Sequence, residues 1–317
     1  MRSSSSAPRR VALRQRHPSG TGLPSESINT VEVIENKAEK VLLLWGDLPA
    51  WRRDNAFIHS GYCQIRPSYR HSLHSLFNLH NESVNIWSHL IGAIVTVASS
   101  LYLYYVIRPR YDSATPSDVL VFACFIGGAV LCLGMSATFH AVLNHSQRVA
   151  QWGNKLDYMG IVVLIVGSFV PALYYAFFCM ATLLTAYLCL ICLLGTGCAI
   201  VSWVEQFSSP KWRPYRAIMF AGLGLSGFIP IIHGVTIYGY KGLEDRISVT
   251  WIIIHGAMYL FGARWPERNF PGVFDIWGSS HQIFHMFVLL AAATHFYSMV
   301  KAFDYHHTVL GSQCLTE

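Results

Sequence analysis

His281 and His285 stand four residues apart in an apolar stretch near the C-terminus, so on a helix they share one face. Two imidazoles at that spacing can be offered by one helix to one zinc ion. A third candidate ligand, His140, closes another apolar stretch, and Ser136 lies four residues ahead of it on the same face. Asp157 opens the next stretch and reads as a carboxylate that takes a hydrogen bond from a ligand imidazole or from water. Three protein ligands leave a coordination position open, whereas a closed structural zinc site has four. The competing reading is packing. The chain has 15 histidines, and His89, His233, His255 and His295 also lie in apolar segments. An HxxxH pair also arises often by chance. What decides between the readings is whether the elements carrying these residues bring them to one place.

Those elements are membrane spans. Of 317 residues, 53% are hydrophobic and 13% charged, about half the charge of an average soluble domain. A bilayer core takes about 20 apolar residues as helix. Seven stretches qualify, at residues 86–107, 118–142, 157–179, 181–203, 216–239, 248–265 and 281–301, the sixth being short. Pro171 and Pro230 fall inside the third and fifth and are expected to kink them. No apolar core of a signal peptide follows the early arginines. Upstream, Ile28, Val31, Ile34, Ala38, Val41, Leu42 and Trp45 fall on one face of an amphipathic helix over 28–45, ended by Gly46 and Pro49. The expected fold is an all-α membrane protein: a disordered basic tail (1–26), an amphipathic helix and membrane-proximal segment (27–80), a seven-helix transmembrane bundle (81–302) and a short C-terminal tail (303–317).

Lysines and arginines orient the bundle. With the N-terminus cytosolic, the inner connectors hold Arg148, Lys155, Lys211, Arg213, Arg216, Arg264 and Arg268, and the outer side holds Arg108, Arg110, Lys241, Arg246 and Lys301. The basic N-terminal region adds to the inner side. The reading is N-terminus in and C-terminus out, the reverse of a G-protein-coupled receptor. His140 then ends the second span on the cytosolic side, His281 and His285 begin the seventh there, and Asp157 lies in the first turn of the third. Ionisable groups gathered at one membrane depth are functional candidates.

The net charge of +6 comes largely from arginines of the N-terminal tail and carries no nucleic-acid signal. Cys124, Cys132, Cys179, Cys189, Cys192 and Cys198 fall in apolar runs, and the CxxC pair Cys189/Cys192 reads as buried packing. No disulfide framework is expected.

Several motifs carry a resemblance. Ser279-Ser280-His281-Gln282-Ile283-Phe284-His285, Ser136-Ala137-Thr138-Phe139-His140, Leu156-Asp157-Tyr158 and His80-Asn81-Glu82-Ser83-Val84-Asn85-Ile86-Trp87-Ser88-His89 resemble, in order, signatures of the progestin and adipoQ receptor family, which includes adiponectin receptors and hemolysin III-like proteins. Gly262-Ala263-Arg264-Trp265-Pro266-Glu267-Arg268 and Phe274-Asp275-Ile276-Trp277 resemble its connector before the last span. Leu48-Pro49-Ala50-Trp51 and Ile58-His59-Ser60-Gly61-Tyr62 are similar to its fungal branch. The resemblance covers roughly residues 45–302. It implies zinc held by His140, His281 and His285, with Asp157 and Ser136 close by, and a cytosolic N-terminus.

Function is less determined than fold. Adiponectin receptors are associated with ceramide hydrolysis, fungal members with zinc and sterol homeostasis, and other relatives bind steroids. One expectation is an integral membrane receptor of the plasma membrane or endomembranes that hydrolyses a lipid amide with zinc, Asp157 and Ser136 as catalytic residues and a ceramide- or sterol-like lipid as partner. A second is a receptor for an extracellular protein ligand whose zinc is structural. A third, a transporter or channel, has few intramembrane polar residues to support it. Oligomeric state is left open. The connector residues Arg264, Glu267, Arg268 and Asp275 read as a salt-bridged loop, and Asn81 or Ser83 as the cap of the first span, with Glu82 and Asn85 helping the chain enter that helix.

Overall fold

The computed structural model describes residues 42–204, 207, 212–261, 266–311 and 314. The expected basic tail, most of the amphipathic helix over 28–45 and connector residues 262–265 lie outside these. At the described end of that helix the chain is not α-helical: Leu43 pairs with Tyr62 in an isolated bridge, and Trp45–Asp47 form a 3-10 turn.

The described residues are helical, with no strand beyond that bridge. A short helix α1 (Tyr69–Ser75) has Ser68 as its cap. Helix α2 (Ser83–Tyr102) runs on through tighter and wider turns to Arg110. Helix α3 (Pro116–Val142) starts at a capping box of Thr115 and Asp118 with proline in its first turn, where the missing N–H is not needed. Helix α4 is Gln147–Ala176 and α5 is Ala181–Trp203. Then come α6 (Arg213–Leu225), α7 (Phe228–Ile247), α8 (Val249–Phe261), α9 (Pro266–Asn269) and α10 (Ser280–Thr308).

Among the described residues, six helices are long and apolar enough to cross a membrane: Ser83–Arg110, Pro116–Val142, Gln147–Ala176, Ala181–Trp203, Pro214–Ile247 and Ser280–Thr308. The expected sixth span is the shorter apolar helix Val249–Leu260. At 13 residues α8 is about 20 Å long, against a hydrocarbon core of about 30 Å. Large apolar side chains such as Ile91, Leu193, Ile218 and Ile232 point outward. In water such a surface would be unfavourable, whereas lipid matches it. The chain is an integral membrane protein.

Several boundaries differ from the sequence reading. Ser146 accepts from Val149 N and starts α4 at Gln147, so Asp157 sits about three turns inside the helix rather than in its first turn. The fifth stretch is two helices, broken at Ser226 and Gly227. Pro230 therefore falls in the first turn of α7, where it needs no hydrogen bond, while Pro171 is buried inside α4. Gly239 has φ of +69°, a conformation strained for any L side chain.

Two cysteine expectations are corrected. Cys179, after α4, is disulfide-bonded to Cys314 beyond α10, 135 residues away. Cys189 and Cys192 are free, but exposed on the outer face of α5 rather than buried.

What positions the histidines is the packing of α3 on α4 and of α10 on α2 and α8. Between α3 and α4 the backbones approach so closely that a Cβ on Gly160 would lie 2.8 Å from the Cα of Cys132. Small residues permit this approach, and in lipid such packing contributes much of helix association.

Candidate metal centre

His140 sits in the last turn of α3, and His281 and His285 in the first turns of α10. Their ligand-capable nitrogens all lie within 4.8 Å of one another. The Nε2 atoms of His140 and His281 are 3.1 Å apart, close to the edge of about 3.3 Å between two nitrogens on a tetrahedral zinc. His140 and His285 are buried, while His281 is the exposed member.

Hydrogen bonds set two of the three tautomers. His140 Nδ1–H donates to Glu82 Oε2 at 2.8 Å. His285 Nδ1 lies 3.1 Å from the carbonyl oxygen of Asn85, which can only accept, so Nδ1 carries the proton. In both rings the Nε2 lone pair is left for a metal, the arrangement by which an outer partner orients a ligand imidazole. His89 stacks on His285 with centroids 3.7 Å apart and planes at 11°, fixing the ring from its face. The donor set thus fits a metal ion of the kind that imidazole suits.

Glu82 is the residue sequence reasoning assigned to the wrong job. It occupies the N-cap position of α2 but makes no side-chain cap bond, and neither Asn81 nor Ser83 supplies one. Its carboxylate instead joins His140, Asn85 Nδ2 at 2.7 Å and Arg52 at 3.3 Å. Burial alone would raise its pKa. The hydrogen bond from His140, then Arg52 and Asn85, outweigh burial and hold the carboxyl well below the usual carboxylate range. The spacing signal that could have found it was the stretch Glu82–Asn85–His89, one face of a helix turned toward the bundle.

Ser136 is buried one turn before His140 and lies beside Asp157 of α4. The structure therefore gathers all five residues singled out from the sequence at one end of the bundle. It adds buried Gln282, next to His281 in the chain, whose amide donates to the carbonyls of Ile276 and Asn81 and accepts from Gly278 N–H. In the connector, Glu267 accepts from Asn55 and from Ser280, and Asp275 accepts from His59 N–H and the Ser60 hydroxyl, so both carboxylates are hydrogen-bond hubs, while Arg264 of the expected salt-bridged loop lies outside the described residues.

The comparisons with known proteins bear on this centre. The family model described as Haemolysin-III related matches residues 77–296, a stretch holding Glu82, His140, Asp157, His281 and His285. The chain is 42% identical over 311 residues to the Adiponectin receptor protein of Drosophila melanogaster, covering 92% of this chain and 69% of that one. It is 41% identical over 289 residues to the ADIPOR-like receptor IZH2 of Saccharomyces cerevisiae, covering 89% and 90%. It is 33% identical over 277 residues to Heptahelical transmembrane protein 1 of Arabidopsis thaliana, covering 84% and 83%. With a family match running from before α2 into α10 and likeness to these relatives over most of its length, the chain belongs to the haemolysin III-related, progestin and adipoQ receptor family.

Proposed function

We propose that this protein is a seven-span zinc receptor of that family which hydrolyses the amide of a ceramide-like membrane lipid. The observation that carries the reading is the convergence of His140, His281 and His285 with two Nε2 lone pairs preset by Glu82 and Asn85. Zinc would be held by these three imidazoles. The chemistry a zinc ion supplies in such a set is Lewis acidity toward a carbonyl oxygen or a water. Asp157 takes the proton of the attacking water and returns it to the departing nitrogen. Ser136, beside Asp157, orients that carboxylate. A site inside the bundle at one leaflet suits a substrate that arrives through the bilayer. Release of fatty acid from defined ceramides by purified, zinc-loaded protein tests this. No release across several chain lengths favours a receptor with structural zinc.

Seven crossings are supported by parity. His140 at the end of α3 touches His281 at the start of α10. The chain between them must therefore cross the membrane an even number of times. The spans α4, α5 and α6–α7 supply three, so short α8 makes the fourth. Seven crossings put the termini on opposite sides. The Cys179–Cys314 bond joins the loop after α4 to the C-terminal tail, on the side away from the histidines. Disulfides persist in oxidising compartments, which favours an outer C-terminus and a cytosolic metal centre. A glycosylation acceptor appended after Glu317 is accordingly expected to be modified in the secretory pathway, and one placed before Val31 is not. The reverse pattern would move the centre to the outer leaflet.

A further inference from the structure

Residues 42–62 form a strap at the histidine end of the bundle. It is a built element with its own small core. Leu48, Ile58 and Tyr62 are buried together, and Leu43 and Tyr62 exchange backbone hydrogen bonds. Gly61, at φ of +85°, turns the strap against the connector before α10, where a Cβ would meet Ile276.

We propose that Arg52 and Asn55 of this strap are positioning residues of the metal centre, so that docking of the strap and binding of the metal are linked. The inference rests on the reading of His140, His281 and His285 as metal ligands. The strap reaches both ligand-bearing helices, each through one glutamate: half-buried Glu82 and buried Glu267. Arg52, itself buried, donates to Glu82 Oε1, while the other oxygen, Oε2, takes His140 Nδ1–H and Asn85. The carboxylate is held from two sides, and its plane fixes the His140 ring. Asn55 Nδ2 donates to Glu267 Oε1 at 2.9 Å, and Glu267 Oε2 accepts from Ser280 N–H at 2.9 Å. Ser280 is the first residue of α10, directly before His281. Glu267 is fully buried, and the Ser280 hydroxyl also donates to its Oε1, so Asn55 and the start of α10 share one buried carboxylate. A strap that lifts away releases Glu82 on one side and the start of α10 on the other, and the three imidazoles lose their common centre. By linkage, a metal that pulls the imidazoles together stabilises the docked strap by the same factor.

The test uses the full-length protein in detergent, stripped with a chelator and titrated with zinc against a competing chelating dye. Glu82→Gln and Arg52→Gln are expected to weaken zinc binding by about 10–100-fold, the usual effect of removing an outer partner of a ligand histidine. Arg52→Lys is expected to recover part of the loss, because the charge returns without the forked geometry. Hydrogen exchange of residues 42–62 in the unaltered protein supplies a reading that needs no variant: zinc should slow it, and should fail to do so in the His281→Ala, His285→Ala protein. Wild-type zinc affinity in both Glu82→Gln and Arg52→Gln, or strap exchange unmoved by zinc in protein that binds it, overturns the linkage while leaving the metal reading standing. Failure of the unaltered protein to bind zinc overturns both.

Discussion

Alanine at both His281 and His285 is expected to strip the protein of zinc. The two residues share one face of α10 and supply two of three imidazoles to a single point. His140 and its partner Glu82 alone cannot hold an ion against a chelating buffer. The loss should extend to stability. A metal that binds only the folded state stabilises it by about 2.7 kcal/mol when present at a hundred times its dissociation constant. The double variant should therefore melt at the temperature of chelated wild type and gain nothing from added zinc. Elemental analysis of the purified variant beside a melting curve checks both halves. A zinc content equal to wild type would remove the assignment.

Asn in place of Asp157 is expected to leave zinc in place and end catalysis. The amide keeps the size of the carboxylate, and its oxygen can still accept a hydrogen bond. It cannot take a proton from water. A positioned general base contributes about 10²–10⁴-fold to rate, so fatty-acid release from ceramide should fall at least about a hundredfold. If Asp157 instead only orients a ligand imidazole, zinc affinity should drop by about 10–100-fold in the same sample. Zinc and turnover quantified together separate a base from an orienting partner.

How much of this was legible beforehand follows the range of each interaction. His281 and His285 are four residues apart, and helical periodicity alone puts them together. His140 joined them through topology, because apolar stretches and the distribution of arginines placed three distant residues at one depth. Glu82 could not be reached that way. Its partner His140 is 58 positions away, and a carboxylate just before an apolar run looks the same whether it serves a helix end or a buried imidazole. The same holds for Arg52 and Asn55, whose partners were read as helix-end and loop residues. The start of α4 was missed because Gln147–Leu156 is too polar to register as a span, although Ser146 is a good cap. Cys179 was hidden by its apolar surroundings, and no local pattern tied it to Cys314. Pro230 was expected to kink a helix, but the break falls just before it, which moves the proline to a turn that tolerates it.

The claim on which the rest depends is that three imidazoles hold one metal ion at the end of α3 and the start of α10. X-ray absorption at the zinc edge, with elemental analysis of the same purified wild-type protein, tests it most directly. The account predicts about one zinc per chain, with nitrogen and oxygen neighbours that include the outer-shell signature of imidazole and no sulfur. Folded, monodisperse protein that takes up no zinc, or zinc surrounded by sulfur, would contradict it.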